Sequence, residues 1–210
     1  MPRTRVKICG ITRAEDADAV VACGADALGL VFYPDSPRYV ALEQARAIAD
    51  SVAPLVTIVG LFVNPSPDTV KAVLDRIPLG LLQFHGAEEN DYCKQFGLPF
   101  IKSIAVRDDV DVLSHMQGYP DASGFILDAW QPQTHGGGGR IFDWDRVPDN
   151  APAPVILAGG LTPGNVSLAI RSTRPYAVDV SSGVESAKGI KSAEKIAAFM
   201  KGVEHSDTGG

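Results

Sequence analysis

The stretch Val6-Lys7-Ile8-Cys9-Gly10-Ile11-Thr12-Arg13-Ala14-Glu15 contains the unit from which the fold of this chain is built. Its first three residues are strand-like, because the β-branched Val6 and Ile8 flank Lys7. Thr12 and Glu15 have the spacing of a capping box, in which two side chains bond backbone N–H groups at the start of a helix. The segment therefore predicts a strand, a turn at Gly10 and a helix with its N-terminus at Thr12.

This strand and helix unit recurs along the whole chain of 210 residues. Two further helix starts are indicated where an N-cap residue precedes a first-turn proline, at Ser66-Pro67 and Thr162-Pro163. Eight short apolar runs alternate with helical patterns: Val6 to Ile8, Ala27 to Val31, Thr57 to Phe62, Leu79 to Phe84, Phe100 to Ile104, Phe125 to Leu127, Val155 to Ala158 and Tyr176 to Val180. Alternation of this kind indicates a parallel sheet, and about 200 residues are enough for eight units with short loops. We therefore expect a single-domain α/β protein with a (β/α)8 TIM barrel over residues 1–204 and a frayed tail over residues 205–210.

A doubly wound open sheet is the structural alternative. It is disfavoured because no GxGxxG motif follows the first strand and because the number of strands is high. The sixth unit is irregular, because the segment 129–142 that follows its strand is long and glycine-rich. It leaves room for only a brief helix from Asp143. The run Gly136 to Gly139 lacks the Lys-Ser/Thr ending of a phosphate-binding P-loop, so we expect it to be a mobile loop beside the site.

Composition excludes several classes of partner. A net charge of −6 and a pI near 5.1 provide no basic field for a nucleic-acid backbone. No apolar signal core and no stretch of membrane-spanning length is present, so we expect a cytoplasmic protein without a membrane partner. Cys9, Cys23 and Cys93 are odd in number and far apart, without a CxxC motif, which indicates neither a disulfide framework nor a zinc site. Monomer and homodimer both remain open.

Catalytic groups of a barrel lie at the carboxyl ends of its strands, because the βα loops build that face. Polar residues follow the predicted strand ends at Cys9, His85, Asp128, Asp179 and Ser181-Ser182. Cys9 is either a packed apolar residue or a reactive thiol. The helix N-terminus that follows Cys9, and Lys7 on the same strand face, would both favour a thiolate.

The other candidates have structural interpretations as well. Asp128 is equally well interpreted as a loop cap or as a catalytic acid or base. His85 could cap the following helix. Arg38, in the loop after the second strand, is either an ordinary surface arginine or a fork for a substrate carboxylate.

Two glycine-rich turns point to a phosphorylated ligand. Gly159-Gly160 follows the seventh strand, and Ser181-Ser182-Gly183 follows the eighth. In many barrels these two loops bind phosphate through backbone N–H groups. As a pair they favour a phosphate site over two unrelated tight turns.

Taken together, these segments resemble the phosphoribosylanthranilate isomerases of tryptophan biosynthesis. The resemblance covers nearly the whole chain, and its carriers are Lys7 to Thr12, Val31 to Pro34 with Ser36 to Tyr39, Gln83 to Gly86, Leu127-Asp128, Phe142 to Trp144 and Ala177 to Glu185. Members of that family convert N-(5-phosphoribosyl)anthranilate to the corresponding 1-deoxyribulose 5-phosphate. The resemblance implies an Amadori rearrangement by general acid–base catalysis, with no metal and no cofactor.

The resemblance also implies roles for individual residues. Cys9 is expected to be the general base, Asp128 the general acid and Arg38 the contact for the anthranilate carboxylate. Gly159, Gly160, Ser181, Ser182 and Gly183 are expected to hold the phosphate, with His85 and Asp179 lining the pocket. The sequence departs from the family pattern at Gly138, where a Ser or Thr is usual, which affects the stiffness or a polar contact of that loop.

Three other functions are compatible with a barrel of this kind. The related isomerase of histidine biosynthesis has an aspartate where Cys9 stands here. A lyase or synthase of the same pathway would use catalytic lysines, but Lys7 and Lys102 do not end their strands. The third is a phosphate-ester binding protein without catalysis, in which Cys9 packs and Asp128 caps a loop.

Overall fold

Eight parallel strands close into a barrel in the computed structural model, which describes residues 3–107, 109–129 and 143–208. The strands are β1 (Arg5–Cys9), β2 (Ala27–Val31), β3 (Thr57–Phe62), β4 (Leu81–Phe84), β5 (Phe100–Val106), β6 (Gly124–Ala129), β7 (Val155–Leu157) and β8 (Ala177–Val180). Each strand pairs with the next, and β8 returns to pair with β1. All eight predicted strands and the (β/α)8 barrel are confirmed, and the open-sheet alternative is wrong.

Helices connect the strands and cover the outside of the barrel. Within the described residues they are α1 (Ala14–Ala22), α2 (Leu42–Ser51), α3 (Pro67–Leu74), α4 (Asn90–Lys94), α5 (Val112–Gln117), α6 (Val166–Thr173) and α7 (Ala193–Asp207). In the described part of the sixth crossover, residues 143–154, one 3₁₀ turn is present, Trp144–Arg146, with Asp143 as its N-cap, which confirms the brief helix predicted there. The predicted mobile loop at 136–139, with Gly138, and residue Phe142 lie outside the described residues.

The start of α3 follows the sequence signal. Ser66 is the N-cap, its Oγ accepts a hydrogen bond from the backbone N of Thr69 at 3.2 Å, and Pro67 is the first helical residue. Local sequence is sufficient here because all the groups involved lie within four residues of one another.

The predicted capping box at Thr12 is wrong. Helix α1 begins at Ala14, and its N-cap Arg13 makes no side-chain capping bond. The hydroxyl of Thr12 instead donates to the carbonyl oxygen of Gly189, 2.6 Å away. The hydroxyl that would have capped α1 is therefore engaged by a residue from a distant part of the chain.

The predicted N-cap at Thr162 is also wrong. Helix α6 begins at Val166, after Asn165. The side chain of Asn165 accepts from the N–H of Thr162 at 2.8 Å and donates to the carbonyl of Gly160 at 3.0 Å. These bonds form a separate turn ahead of the helix, so the helix starts later than Pro163 suggests.

Alternation along the strands separates the barrel interior from the shell of helices. Ile8 belongs to the main apolar cluster, together with helix residues such as Val20, whereas Cys9 belongs to a small cluster with Val31 and Leu61. Neighbouring residues of a strand point to opposite faces. Cys9 therefore faces the interior at the carboxyl end of the barrel, where the loops after the strands meet.

The carboxyl terminus is more ordered than the sequence suggests. Helix α7 continues through Asp207, so residues 205–207 are helical instead of frayed. The Asp207 carboxylate accepts hydrogen bonds from the backbone N and Oγ1 of Thr4, at 2.8 and 2.7 Å. No helix in the described part of the chain is long and apolar enough to cross a membrane.

Candidate active site

A cavity opens at the carboxyl ends of the strands and encloses about 660 Å³, part of it open to solvent. Nine of the residues predicted to form the site line it: Cys9, Arg38, His85, Asp128, Gly159, Gly160, Asp179, Ser181 and Ser182. The tenth, Gly183, follows Ser182 directly. The barrel thus brings together residues that are up to 173 positions apart in sequence.

Cys9 lies beside a buried ion pair that spans β1 and β8. Lys7 is directly opposite Asp179 in the strand pairing, and its Nζ donates to Asp179 Oδ1 at 2.9 Å. Gly29, opposite Cys9 on β2, leaves the room that the thiol occupies, because a Cβ there would lie 2.8 Å from Sγ. Both neighbouring strands therefore determine the position of the thiol.

The protonation of Cys9 differs from the sequence-based expectation. Burial raises the pKa of the Cys9 thiol, and this effect outweighs the opposing charges of Lys7 and Lys191. Much of the charge of Lys7 is engaged by Asp179, and α1 begins only at Ala14, five residues after the cysteine. Cys9 is consequently a neutral thiol near neutral pH.

Asp128 has the protonation expected of a general acid. Burial, reinforced by the negative charge of Asp179, raises its pKa from an ordinary value near 3.8 to about 7. Its Oδ2 lies 3.7 Å from Nε2 of His85. The carboxyl group can therefore hold a proton near neutral pH, with an imidazole beside it.

Gln83 lies in β4 and lines the cavity beside His85, although it was not predicted as a site residue from the sequence. Its side chain is buried, and its Nε2 lies 3.3 Å from Nδ1 of His85. An amide nitrogen that donates to Nδ1 leaves the proton of a neutral imidazole on Nε2, the nitrogen that faces Asp128. A polar residue two positions before a predicted site histidine, on the same strand face, was the available signal.

Arg38 is buried, so its interpretation as an ordinary surface arginine is wrong. Its Nε and Nη2 donate to the two carboxylate oxygens of Glu185, at 2.7 and 2.9 Å. This bidentate contact uses one edge of the guanidinium, and the Nη1 side remains for a ligand in the cavity. Glu185 was also missed as a functional residue, although it ends one of the motifs that carry the resemblance.

The two glycine-rich turns are packed against each other. Gly159 and Gly160 have φ values of +79° and +67°, in the left-handed region that favours glycine. A Cβ at Gly183 would collide with the backbone carbonyl oxygen of Leu161, in the loop after β7. Backbone N–H groups of both turns can thus approach one ligand without side chains between them.

The remaining cysteines are part of the packing. Cys93 belongs to the main apolar cluster, and Cys23 packs against it while half-buried. Lys102 lies outside the cavity, where it pairs with Glu88, so it is no candidate for a catalytic lysine. Among the described residues, no three His, Cys, Asp or Glu side chains are placed to share a metal ion.

Comparison with known proteins agrees with this arrangement. The family model described as N-(5'phosphoribosyl)anthranilate (PRA) isomerase matches residues 6–202. The N-(5'-phosphoribosyl)anthranilate isomerase of Pseudomonas fluorescens is 54% identical over 207 residues, covering 99% of both chains.

Two solved structures extend the comparison to the fold. The crystal structure of phosphoribosyl anthranilate isomerase from Thermotoga maritima has a TM-score of 0.88 and 40% identity, and the match covers 96% of this chain and 99% of that one. A phosphoribosyl anthranilate isomerase in complex with reduced 1-(o-carboxyphenylamino)-1-deoxyribulose 5-phosphate has a TM-score of 0.82 and 38% identity, with the same coverage. The chain therefore belongs to the N-(5'-phosphoribosyl)anthranilate isomerase family.

Proposed function

We propose that this protein converts N-(5'-phosphoribosyl)anthranilate to 1-(2-carboxyphenylamino)-1-deoxyribulose 5-phosphate in tryptophan biosynthesis, with Asp128 as general acid and Cys9 as general base. The observation that carries the assignment is the pair of groups in one cavity. A carboxyl group with a pKa of about 7 and a buried thiol both line it, between one arginine and two glycine-rich turns. The complex of a family member with the reduced product analogue supports the choice of substrate.

The reaction needs one acid and one base. Asp128 donates its proton to the ring oxygen of the ribose as the bond from that oxygen to C1 breaks, which leaves an iminium between C1 and the anthranilate nitrogen. Cys9 then removes the proton from C2, and the electron pair of that C–H bond forms the enolamine. The enolamine tautomerises to the ketone, so atoms and electrons balance within one molecule.

The raised pKa of the Cys9 thiol gives the iminium a part in its own deprotonation. Burial disfavours the thiolate of Cys9. Ring opening places a positive charge on the substrate, and a nearby cation favours the thiolate. The thiol proton passes to the carboxylate that Asp128 becomes when it donates its own proton, so Asp128 is protonated again and the thiolate takes the proton from C2. The base is thus activated at the step that requires it.

The two anionic groups of the substrate would bind to different parts of the cavity. The Nη1 side of Arg38 is suited to the anthranilate carboxylate, and the turns at Gly159-Gly160 and 181–183 are suited to the phosphate. His85 and Asp179 would line the sugar between them. Three free thiols agree with a reducing compartment, which supports a cytoplasmic location.

Loss of the fluorescence of the anthranilate substrate measures the proposed turnover directly. Cys9→Ser keeps the shape of the side chain but is a far weaker base, and Asp128→Asn has no acidic proton, so each should lose at least ~10²-fold in kcat/KM. Cys23→Ser, a thiol outside the cavity, is the control and should retain full activity. Turnover close to wild type by Cys9→Ser, in a variant that still binds the reduced product analogue, would remove Cys9 from the mechanism.

A further inference from the structure

A buried cluster of three charges lies behind the cavity, where the loop after β2 meets a small hairpin after β8. The hairpin consists of β9 (Glu185–Ala187) and β10 (Ile190–Lys191). Glu185 Oε1 accepts from both Arg38 Nε, at 2.7 Å, and Lys191 Nζ, at 2.9 Å. The three side chains are at most 10% exposed, so water contributes little to holding them in place.

Lys191 connects this cluster to the turn proposed to hold the phosphate. Besides Glu185, its Nζ donates to the carbonyl oxygen and Oγ of Ser181, at 3.1 and 3.3 Å. The Lys191 side chain is fully buried, and it does not line the cavity. Lys191 thus contacts Glu185, which binds Arg38, and Ser181, which belongs to the turn proposed to hold the phosphate. It is not itself exposed to a ligand in the cavity.

The surroundings restrict Arg38 to one position. Gly10 has a φ of +74°, and a Cβ there would collide with Cδ of Arg38 and lie 3.2 Å from Oγ of Ser181. The arginine stem therefore lies directly on the backbone of Gly10. The bidentate contact with Glu185 fixes both the position and the plane of the Arg38 guanidinium.

We propose that Glu185 is a positioning residue that orients the guanidinium of Arg38 for the substrate carboxylate, and that Lys191 holds Glu185 and offsets its charge. This inference rests on the function proposed above for Arg38. With one carboxylate between two cations, the cluster carries a single net positive charge, which matches a single carboxylate on the ligand.

Glu185 could act on ligand binding by positioning Arg38 or through its own negative charge, and the two roles predict opposite effects of Glu185→Gln. If the residue acted only through its charge, Glu185→Gln would remove a negative group and strengthen the binding of a ligand carboxylate. If it positions the fork, the same change loosens Arg38, because a neutral amide offers only one acceptor to the guanidinium and a weaker one. The sign of the effect therefore separates the two explanations.

The test compares two ligands by isothermal titration calorimetry. One is reduced 1-(o-carboxyphenylamino)-1-deoxyribulose 5-phosphate, and the other is the same compound without the carboxyl group. In Glu185→Gln we expect the preference for the carboxylated ligand, measured as the ratio of the two Kd values, to fall by at least ~fivefold. Lys191→Met should lower the same ratio, and Arg38→Ala should lower it at least as far as either.

Two further variants keep the test interpretable. Glu185→Asp preserves the charge but shortens the side chain by one methylene. A lower ratio of the two Kd values in this variant would therefore result from geometry and not from charge. This variant also replaces Glu185→Gln in the test if Glu185→Gln does not fold. Asp50→Asn breaks the exposed pair of Asp50 with Arg46 and should leave the ratio unchanged. A ratio in folded Glu185→Gln that equals or exceeds that of the wild type would overturn the inference. A wild-type protein without preference for the carboxylated ligand would instead refute the role proposed for Arg38.

Discussion

Asp128 and Cys9 illustrate, at the scale of single residues, how one physical cause can have two consequences. Burial raises the pKa of both groups. For Asp128 this produces a proton that is available near neutral pH, as an acid requires. For Cys9 it suppresses the thiolate, so the base needs a neighbouring positive charge before it can act.

The raised pKa of Asp128 makes the stability of the fold depend on pH. Between about pH 4 and 7 the folded protein holds a proton on Asp128 that the unfolded chain has already released, so stability falls as the pH rises through this interval. The full difference corresponds to at most about 4 kcal/mol above pH 7. Asp128→Asn removes the penalty, and the variant should be more stable than the wild type at pH 8 by up to that amount.

Urea unfolding of both proteins at pH 4 and pH 8 measures this difference. At pH 4, where the carboxyl group is protonated in the folded state, the variant should gain little. An equal gain at both pH values would show that the effect is not one of protonation.

At the scale of elements, the segment after β4 is held by a buried ion pair. Lys102 Nζ donates to Glu88 Oε2 at 2.9 Å and to the carbonyl of Gly86 at 2.6 Å. Glu88 in turn accepts from the backbone N of Asn64, at 2.7 Å, in the loop after β3. The pair therefore ties together the loops that follow β3 and β4, the second of which begins at His85.

Glu88→Gln should destabilise the protein by about 3 kcal/mol, because it leaves the buried Lys102 ammonium without its counter-charge. Unfolding in urea, monitored by circular dichroism, measures the free energy of unfolding. Glu89→Gln is the matched control, since Glu89 is exposed and makes no side-chain capping bond to α4. A loss below about 1 kcal/mol in Glu88→Gln would mean that the two loops are held by other contacts.

At the scale of the whole molecule, the two ends of the described chain meet at the amino-terminal side of the barrel. Strands β1 and β8 pair, and α7 ends beside the start of β1. Arg3 pairs with Asp26, and Thr4 bonds Asp207. Helix α7 therefore stabilises the position where β1 and β8 pair and close the barrel, at the end opposite the proposed active site.

Asp207→Ala should lower the stability of the fold by about 2 kcal/mol, because two hydrogen bonds from the buried Thr4 to a carboxylate are lost. Thermal unfolding measures the change. Activity well below the melting temperature should stay at the wild-type level, since Asp207 lies far along the chain from every residue that lines the cavity and at the other end of the barrel. Glu204→Ala, an exposed position one turn earlier in α7, is the control. Wild-type stability of Asp207→Ala would mean that the contact between Asp207 and Thr4 does not stabilise the fold.

The sequence alone determined the eight strands, the closed barrel and the strand-end residues that line the cavity, because apolar periodicity and the strand–helix alternation are local signals. The family resemblance added roles for Cys9, Asp128 and Arg38. Only the tertiary structure decided which groups meet: Arg38 with Glu185, 147 positions later, and Thr12 with Gly189, 177 positions later. It also decided the protonation of Cys9, because the competition between burial and nearby charge depends on distances that no sequence pattern specifies.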